Sequence, residues 1–316
     1  LVLSYHGTTS GEHGEGLSRG EFSRKLFGPK LTEAFREVKR AFDPQGLMNP
    51  GKVVDVGPMD DPATLRYGPD YATSYAPVAP RFDWSRDAGF AGAVEMCNGA
   101  GVCRKEGSGT MCPSFMATLD ERDSTRGRAN ALRLAMTGKL GVNGLADHRV
   151  AEVLDLCLSC KACKAECPSL VDMARLKAEF TATYYDRHGT PLRARLFGNI
   201  HRLNRLGSFV PRLANFALTS LPGRWALARV GVTPHRSLPM LARQRFSVWA
   251  RKHAPPAPPS ALDAPILISD TYTEYNYPHL GKAALRVAEA AGCRVEVWGP
   301  RELDCCGRPL ISKGLL

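Results

Sequence analysis

Apolar residues recur at helical spacing in several separate stretches of the chain. From Leu31 to Phe42 they recur every three or four residues, which places them on one face of a helix. The same period predicts further helices over 126–136, 150–156, 173–180, 192–206, 210–219 and 224–230. The short apolar run from Leu1 to Tyr5 predicts a strand instead.

The C-terminal end of the chain changes to a strand–helix–strand pattern. The run from Ala264 to Ser269 predicts a buried strand. A helix is predicted over 280–291, with Gly292 as its C-cap, and a second strand over 293–298, with Cys293 buried in it. Two strands joined through a helix are expected to lie parallel.

Breaks in these patterns divide the chain into five stretches and predict an α+β multidomain fold. Residues 58–95 are rich in Pro, Asp, Tyr and Gly without a clear period, which predicts an extended linker. The proline-rich stretch 254–260 predicts a second, stiffer linker. The predicted domains are 1–57, 96–180 with seven of the ten cysteines, the helical stretch 181–260, and 261–316.

The cysteines and the ends of the chain indicate the cellular setting. Ten cysteines in CxxC and CC patterns favour metal binding in a reducing cytosol over disulfides. No apolar run approaches the roughly 18 residues of a membrane span, and the first residues lack a signal peptide's basic region and apolar core. We therefore predict a cytoplasmic protein. Because the sequence starts without Met and ends soon after Gly307, we expect a fragment of a longer chain.

The central chemical signal is the run Cys157-Leu-Ser-Cys160-Lys-Ala-Cys163-Lys-Ala-Glu-Cys167-Pro168. Four cysteines at these spacings, closed by proline, are typical of bacterial ferredoxins that bind a 4Fe-4S cluster. Three thiolates from one tight loop can reach three corners of a compact cubane, while the fourth points elsewhere. A zinc site or buried free thiols are the alternatives, but zinc sites usually bring two well-separated ligand pairs.

A second group, Cys97, Cys103 and Cys112-Pro113, repeats the Cys-Pro element. In two-cluster ferredoxins the Cys-Pro cysteine of each run serves the cluster of the other run. By that rule Cys112 joins Cys157, Cys160 and Cys163 in the first cluster. Cys167 joins Cys97 and Cys103 in a second cluster that is one ligand short. The alternative for Cys97 and Cys103 is loop thiols without metal.

Residues 96–180 resemble the iron–sulfur part of glycolate oxidase and D-lactate dehydrogenase type enzymes. In that family a Ser/Thr-x-x-Arg-Gly-Arg-like segment follows the first Cys-Pro motif. Here it is Asp123-Ser124-Thr125-Arg126-Gly127-Arg128. The resemblance implies a mainly α-helical ferredoxin-type domain. Ser124 or Thr125 is expected to cap a helix, and the arginines to offset cluster charge.

Residues 1–57 resemble the C-terminal end of FAD-linked oxidases that oxidise D-2-hydroxy acids. The resemblance depends on Gly11-Glu12-His13-Gly14-Glu15-Gly16 and on Asn49-Pro50-Gly51-Lys52. It implies that His13 is the general base, that Glu12 ligates a divalent metal, and that Gly11, Gly14 and Asn49 adjoin the flavin. A glycine loop with a surface histidine is the alternative. The domain that binds most of the FAD precedes this motif in the family, so we expect this chain alone to be inactive.

Residues 261–316 resemble the first half of a cysteine-rich CCG domain of the heterodisulfide reductase family and of glycolate oxidase iron–sulfur subunits. The resemblance depends on Cys305-Cys306-Gly307 after the strand–helix–strand unit. Asp270-Thr271 stands where the motif often has a cysteine. Two roles for Cys305 and Cys306 stay open, a structural one and a redox one.

The stretch 181–260 is strongly basic. It holds thirteen Arg or Lys and one acid, Asp186, in a chain of net charge +11. It suits nucleic acid, anionic lipid or an acidic protein, or it is a solvated surface. The aromatic residues of a stacking platform are missing, so nucleic acid is disfavoured. Peripheral contact with the inner face of a membrane is the alternative that brings the clusters near a quinone.

Together the resemblances imply oxidation of a D-2-hydroxy acid such as D-lactate, D-2-hydroxyglutarate or glycolate. Electrons would pass from FAD through the clusters to a quinone or a carrier protein. A non-catalytic electron carrier or heterodisulfide-reductase-like subunit is the rival, but it leaves the GEHGEG and NPGK stretches unexplained. A nucleic-acid protein with a structural cluster leaves the Cys-Pro groups unexplained.

Overall fold

The computed structural model describes residues 1–65, 67–77, 79–233, 235–253 and 265–316. Its residues form two compact units, 1–72 and 73–316. The predicted proline-rich linker, 254–260, and the first residue of the predicted strand, Ala264, lie outside the described residues. None of the helices in the described ranges combines the length and the hydropathy that crossing a bilayer requires.

The N-terminal unit is helical, with α1 at Gly16–Arg19 and α2 at Ser23–Phe42. The strand predicted over 1–5 is wrong, because Val2–Tyr5 forms a 3-10 turn. A strand needs a hydrogen-bonded neighbour, and the described part of this unit contains no other strand. The helix predicted over 31–42 is the second part of α2, which is kinked where Gly28 has a φ of 78°.

Asp43 organises the turn after α2. Its carboxylate accepts hydrogen bonds from the backbone N–H groups of Leu47 and Met48 at 2.8 and 2.9 Å. It also pairs with Lys39 at 2.6 Å. The Lys39 hydrogen bond, with the two backbone donors, lowers the pKa of Asp43 to about 2. This turn positions Asn49, whose φ of 46° is left-handed.

Six helices of the second unit surround the predicted iron–sulfur region. They are α3 (Gly89–Glu95), α4 (Pro113–Thr118), α5 (Thr125–Met136), α6 (His148–Asp155), α7 (Ala162–Glu166) and α8 (Met173–His188). The helices predicted over 126–136, 150–156 and 173–180 are therefore confirmed. Their apolar faces meet in one core around Leu132, Met136, Val150, Leu176 and Phe180.

Part of the stretch predicted as a linker packs against this core. The Glu179 carboxylate on α8 is fully buried and accepts hydrogen bonds from the backbone N–H groups of Arg81 and Phe82, both at 2.9 Å. It also accepts one from the Trp84 indole at 3.1 Å. Phe90 on α3 is buried as well. The helical core thus reaches back beyond residue 96.

The basic stretch forms five helices in the described residues. They are α9 (Leu192–Gly198), α10 (Ile200–Gly207), α11 (Pro211–Thr219), α12 (Leu221–Arg229) and α13 (Phe246–His253). The single helix predicted over 192–206 is wrong, because the backbone of Asn199 (φ −95°, ψ 25°) divides it into two. Several large apolar side chains here stay exposed, among them Leu213, Phe216 and Trp225.

The C-terminal part confirms the parallel strand–helix–strand unit. Strand β1 (Ile266–Ile268) pairs in parallel with β2 (Glu296–Trp298), with Leu267 opposite Val297. Three helices accompany the strands, α14 (Thr271–Tyr275), α15 (Pro278–Ala290) and α16 (Arg308–Ser312). Gly292 ends α15 as predicted, with a φ of 78° and its N–H bonded to the carbonyl of Glu289 at 2.9 Å.

Two predictions about burial in this unit are wrong. The first strand is not fully buried, because Ile266 and Ile268 are about half exposed. Side chains alternate between the faces of a strand, and Leu267 lies on the face that packs against Phe246 and Leu285. Cys293 is exposed and precedes β2, because it lies in the turn that closes α15.

Candidate iron–sulfur centres

The cysteine loop, residues 157–167, is turned by two left-handed residues. Ser159 and Lys161 have φ values of 51° and 65° on either side of Cys160. Helix α7 then starts at Ala162 and carries Cys163 in its first turn. This local geometry directs three thiols of the loop to one cavity.

Four cysteines line the first cavity: Cys112, Cys157, Cys160 and Cys163. Cys112 comes from the loop before α4, more than forty residues earlier in the chain. Arg128 and Met173 contribute to the same wall. The ligand set that the sequence predicts for the first cluster therefore shares one cavity.

Three cysteines line a second cavity: Cys97, Cys103 and Cys167. Met111 and Thr125 line both cavities and so lie between them. Asn98 and Arg126 complete the polar part of this wall, and the described lining residues include no fourth cysteine. The grouping is the one predicted for an incomplete second cluster.

The arrangement of the cysteines suits iron–sulfur clusters better than single metal ions. Among the described residues no three His, Cys, Asp or Glu side chains converge on one point as ligands of one metal ion do. A cubane distributes its thiolates over separate corners, so its ligands surround a space instead of a point. The two cavities are spaces of this kind, one lined by four cysteines and the other by three.

N–H groups donate to sulfur in both cavities. The Arg128 guanidinium donates to Cys112 Sγ at 3.3 Å, and the Arg126 backbone N–H donates to Cys103 Sγ at 3.3 Å. Burial raises the pKa of Cys103, and it raises the pKa of Cys163 to about 11. Iron would displace these thiol protons, since a coordinating thiol is deprotonated.

The segment between the two cysteine groups starts α5. Ser124 Oγ accepts a hydrogen bond from the Gly127 backbone N–H at 2.9 Å, so the predicted N-cap is confirmed and is Ser124. A Cβ atom on Gly127 would lie 2.1 Å from the Glu121 carbonyl oxygen. Gly127 therefore permits the start of α5 to pack closely against the backbone of Glu121. This packing places Arg126 and Arg128 beside the cavities.

Glu166 joins the two cysteine groups and was not singled out from the sequence. Its carboxylate accepts hydrogen bonds from the backbone N–H groups of Thr110 at 2.7 Å and Met111 at 3.3 Å, and it pairs with Lys105. The Lys105 hydrogen bond is the main cause that lowers the pKa of Glu166 to about 2. Its position directly before Cys167 was the only signal in the sequence.

The CCG loop lies against the cysteine loop. Cys305 is half-buried and Cys306 is exposed. Thr271 Oγ1 lies 4.0 Å from Cys305 Sγ. The Arg308 guanidinium donates to the carbonyl of Ser159 at 2.8 Å. This contact connects the start of α16 with the wall of the first cavity, which local sequence patterns did not reveal.

The predicted flavin-side residues lie in the N-terminal unit. Glu12 and His13 are mostly exposed, with 3.5 Å between Oε1 of Glu12 and Nε2 of His13. At Gly11 and Gly14 a Cβ atom would meet nothing within 4 Å, so a flat ring has room to approach this backbone. Asn49 is exposed. The structure thus leaves these residues accessible on the surface of the N-terminal unit.

Comparisons with known proteins confirm the resemblance drawn from the motifs. Residues 1–53 match the family model of the C-terminal domain of FAD-linked oxidases. Residues 93–171 match that of the 4Fe-4S dicluster domain. These families imply a flavin and iron–sulfur clusters, the two cofactors predicted from the motifs.

The curated relatives include dehydrogenases and an iron–sulfur subunit. The chain is 30% identical to D-2-hydroxyglutarate dehydrogenase of Escherichia coli, over 77% of the chain and 27% of that protein. It is 28% identical to D-2-hydroxyglutarate dehydrogenase of Pseudomonas putida, over 100% of the chain and 34% of that protein. The glycolate oxidase iron–sulfur subunit of Escherichia coli is 27% identical, over 62% of the chain and 43% of the subunit.

The chain thus spans between about a quarter and a third of the length of the dehydrogenases it matches. No solved structure matches it.

Proposed function

We propose that this chain is the electron-transfer part of a FAD-dependent D-2-hydroxy-acid dehydrogenase, together with the edge of its flavin domain. The observation that carries the proposal is the grouping of seven cysteines around two adjacent cavities. A simple electron carrier would need the cavities but not the Glu12-His13 loop. The match of residues 1–53 to FAD-linked oxidases favours the dehydrogenase.

The residues that line the two cavities support a proposal for the cluster ligands. Cys112, Cys157, Cys160 and Cys163 would hold one 4Fe-4S cluster. Cys97, Cys103 and Cys167 would hold a second, with its remaining site taken by solvent or another residue. Bound clusters supply one-electron carriers. Because Met111 and Thr125 line both cavities, two clusters held there would be neighbours.

The Glu12-His13 loop would act on the substrate. His13 takes the proton of the substrate hydroxyl, since imidazole can change its protonation state near neutral pH. Glu12 would ligate a divalent metal that orients the hydroxy acid, and Gly11, Gly14 and Asn49 would adjoin the flavin. When bound, FAD supplies the acceptor for the hydride and releases the electrons singly. The product is the 2-oxo acid.

Electrons would leave on the side of the CCG loop. Arg308 follows Gly307 directly and donates a hydrogen bond to Ser159 of the cysteine loop, so one hydrogen bond and a short stretch of backbone connect Cys305 and Cys306 with the wall of the first cavity. The acceptor would be a quinone or a carrier protein. Exposed apolar residues on the basic helices, among them Phe216, Leu221 and Trp225, support peripheral contact with an anionic membrane surface.

The test uses the product of the complete gene that contains this chain, purified without oxygen. We expect its flavin absorbance to bleach when D-2-hydroxyglutarate, D-lactate or glycolate is added, followed by reduction of an iron–sulfur signal. Two results would favour the electron-carrier subunit instead. In the first, the protein binds clusters but no flavin. In the second, it binds flavin that none of the three D-2-hydroxy acids bleaches.

A further inference from the structure

Arg128 is a fully buried arginine aimed at the first cavity. None of its surface is exposed, and its guanidinium makes three hydrogen bonds. It donates to Cys112 Sγ at 3.3 Å, to Ser114 Oγ at 2.9 Å and to the carbonyl of Val153 at 3.1 Å. A buried charge of this kind is costly unless a counter-charge lies close to it.

One carboxylate of the protein lies near Arg128, but it is not hydrogen-bonded to the guanidinium. Asp123 is the one carboxylate within 4.0 Å of Arg128 in the described residues, and its Oδ1 lies 3.6 Å from Nη2, beyond hydrogen-bond range. The sulfur of Cys112 is nearer. A cluster held by four thiolates carries negative charge and becomes more negative on reduction. A cluster in the first cavity would therefore add a second negative charge, on the sulfur to which Arg128 is hydrogen-bonded.

Arg126, two residues earlier on α5, is a natural comparison. Its guanidinium forms two hydrogen bonds with Glu121, at 2.7 and 3.0 Å, and a third with the carbonyl of Gly99. Only its backbone N–H reaches a cysteine, Cys103. The guanidinium of Arg126 is thus hydrogen-bonded to a carboxylate, whereas that of Arg128 is hydrogen-bonded to a cysteine sulfur.

We propose that Arg128 sets the reduction potential of a cluster held by Cys112, Cys157, Cys160 and Cys163. The inference rests on the proposed function. Hydrogen bonds to cluster sulfurs and nearby positive charge favour the reduced form, so Arg128 raises the potential. Arg128 is a positioning residue: it acts on the cluster through Cys112 and through its charge.

The test is a redox titration of the reconstituted chain, followed by electron paramagnetic resonance. A Cys167→Ser background removes a ligand of the second site and simplifies the spectrum. We expect Arg128→Met to shift the midpoint potential of the remaining cluster to more negative values and Arg128→Lys to restore part of the shift. Arg122→Met, at an exposed arginine that lines neither cavity, is the control and should leave the potential unchanged. An intact cluster with an unchanged potential in Arg128→Met would overturn the proposal.

A second measurement needs no substitution at Arg128. The protein is grown with arginine labelled with 15N only in its guanidino group, and the reduced cluster is examined by pulsed resonance. A coupling to labelled nitrogen supports the contact with Cys112, and its absence overturns the proposal. Failure of the proposed function is a separate outcome: the complete protein would then hold no flavin that a D-2-hydroxy acid bleaches, whereas the potential of the cluster is measured without flavin or substrate.

Discussion

The Glu166 carboxylate accepts a hydrogen bond from the Thr110 backbone N–H at 2.7 Å. Glu166 immediately precedes Cys167, and Thr110 lies two residues before Cys112. This one contact therefore ties the backbone just before Cys112 to the residue just before Cys167. The Lys105 ion pair and the Met111 N–H complete the anchor.

Removing this anchor should damage both cavities. We expect Glu166→Ala to lower the iron bound after reconstitution severalfold, because the loop before Cys112 loses its acceptor and Lys105 loses its partner. Iron and sulfide analysis measures the change. Glu106→Ala, at an exposed glutamate in the same loop, is the control. Equal iron contents in the two variants would contradict this role of Glu166.

Crossed ligation predicts opposite results for two Cys-Pro cysteines. Cys112→Ser should disturb the cluster of Cys157, Cys160 and Cys163, because it removes the fourth thiol of that cavity. Cys167→Ser should leave that cluster largely intact and disturb the second. Visible absorption and electron paramagnetic resonance distinguish the two. Cys293→Ser, at an exposed cysteine that lines neither cavity, should change neither signal.

If Cys167→Ser abolished the first cluster and Cys112→Ser spared it, the loop cysteines would form an uncrossed site. In that case, cysteines that line the same cavity would not all be ligands of the same cluster.

Gly127→Ala should destabilise the second unit by about 1–3 kcal/mol, the usual cost of forcing atoms into a packed site. The added Cβ would lie 2.1 Å from the Glu121 carbonyl oxygen, so the turn before α5 must move. Thermal or urea unfolding measures the loss. Gly11→Ala, where a Cβ meets nothing within 4 Å, is the control and should change stability little. If Gly127→Ala were as stable as the wild-type protein, the turn before α5 could move to accommodate the Cβ atom at no cost in stability.

Asp43 should make the N-terminal unit sensitive to acid. Its pKa is lowered from 3.8 to about 2, chiefly by the hydrogen bond from Lys39. A carboxyl group whose pKa is lower in the folded state than in the unfolded state stabilises the folded protein. Its full contribution is present at pH values above the pKa that it has in the unfolded state. That contribution is lost as the pH falls from about 4 to about 2.

Asp43→Asn should therefore flatten the dependence of unfolding on pH in this window and weaken the turn at neutral pH. Circular dichroism during acid titration measures both. Asp60→Asn, at an exposed aspartate of the same unit, should keep the wild-type profile. An unchanged acid transition in Asp43→Asn would show that other carboxylates control it.

Local sequence patterns predicted most helices. They failed where the secondary structure or the burial of a segment depends on a contact with residues distant in sequence. The periods over 126–136 and 173–180 were reliable, because each face packs against one core. The run from Leu1 to Tyr5 has strand-forming residues but no partner strand in the described part of its unit. Strand β1 was expected to be buried, yet only Leu267 packs against a helical layer.

The sequence by itself determined the chemistry, because cluster ligation needs particular side chains at short, fixed spacings. The cysteine run, the Cys-Pro pairs and the capping residue Ser124 are all local features. The tertiary structure decided which residues surround those thiols. Arg126 and Arg128 belong to one short motif, yet one meets Glu121 and the other meets Cys112. Such a difference follows from the packing of α5 against segments distant in sequence, which no local spacing encodes.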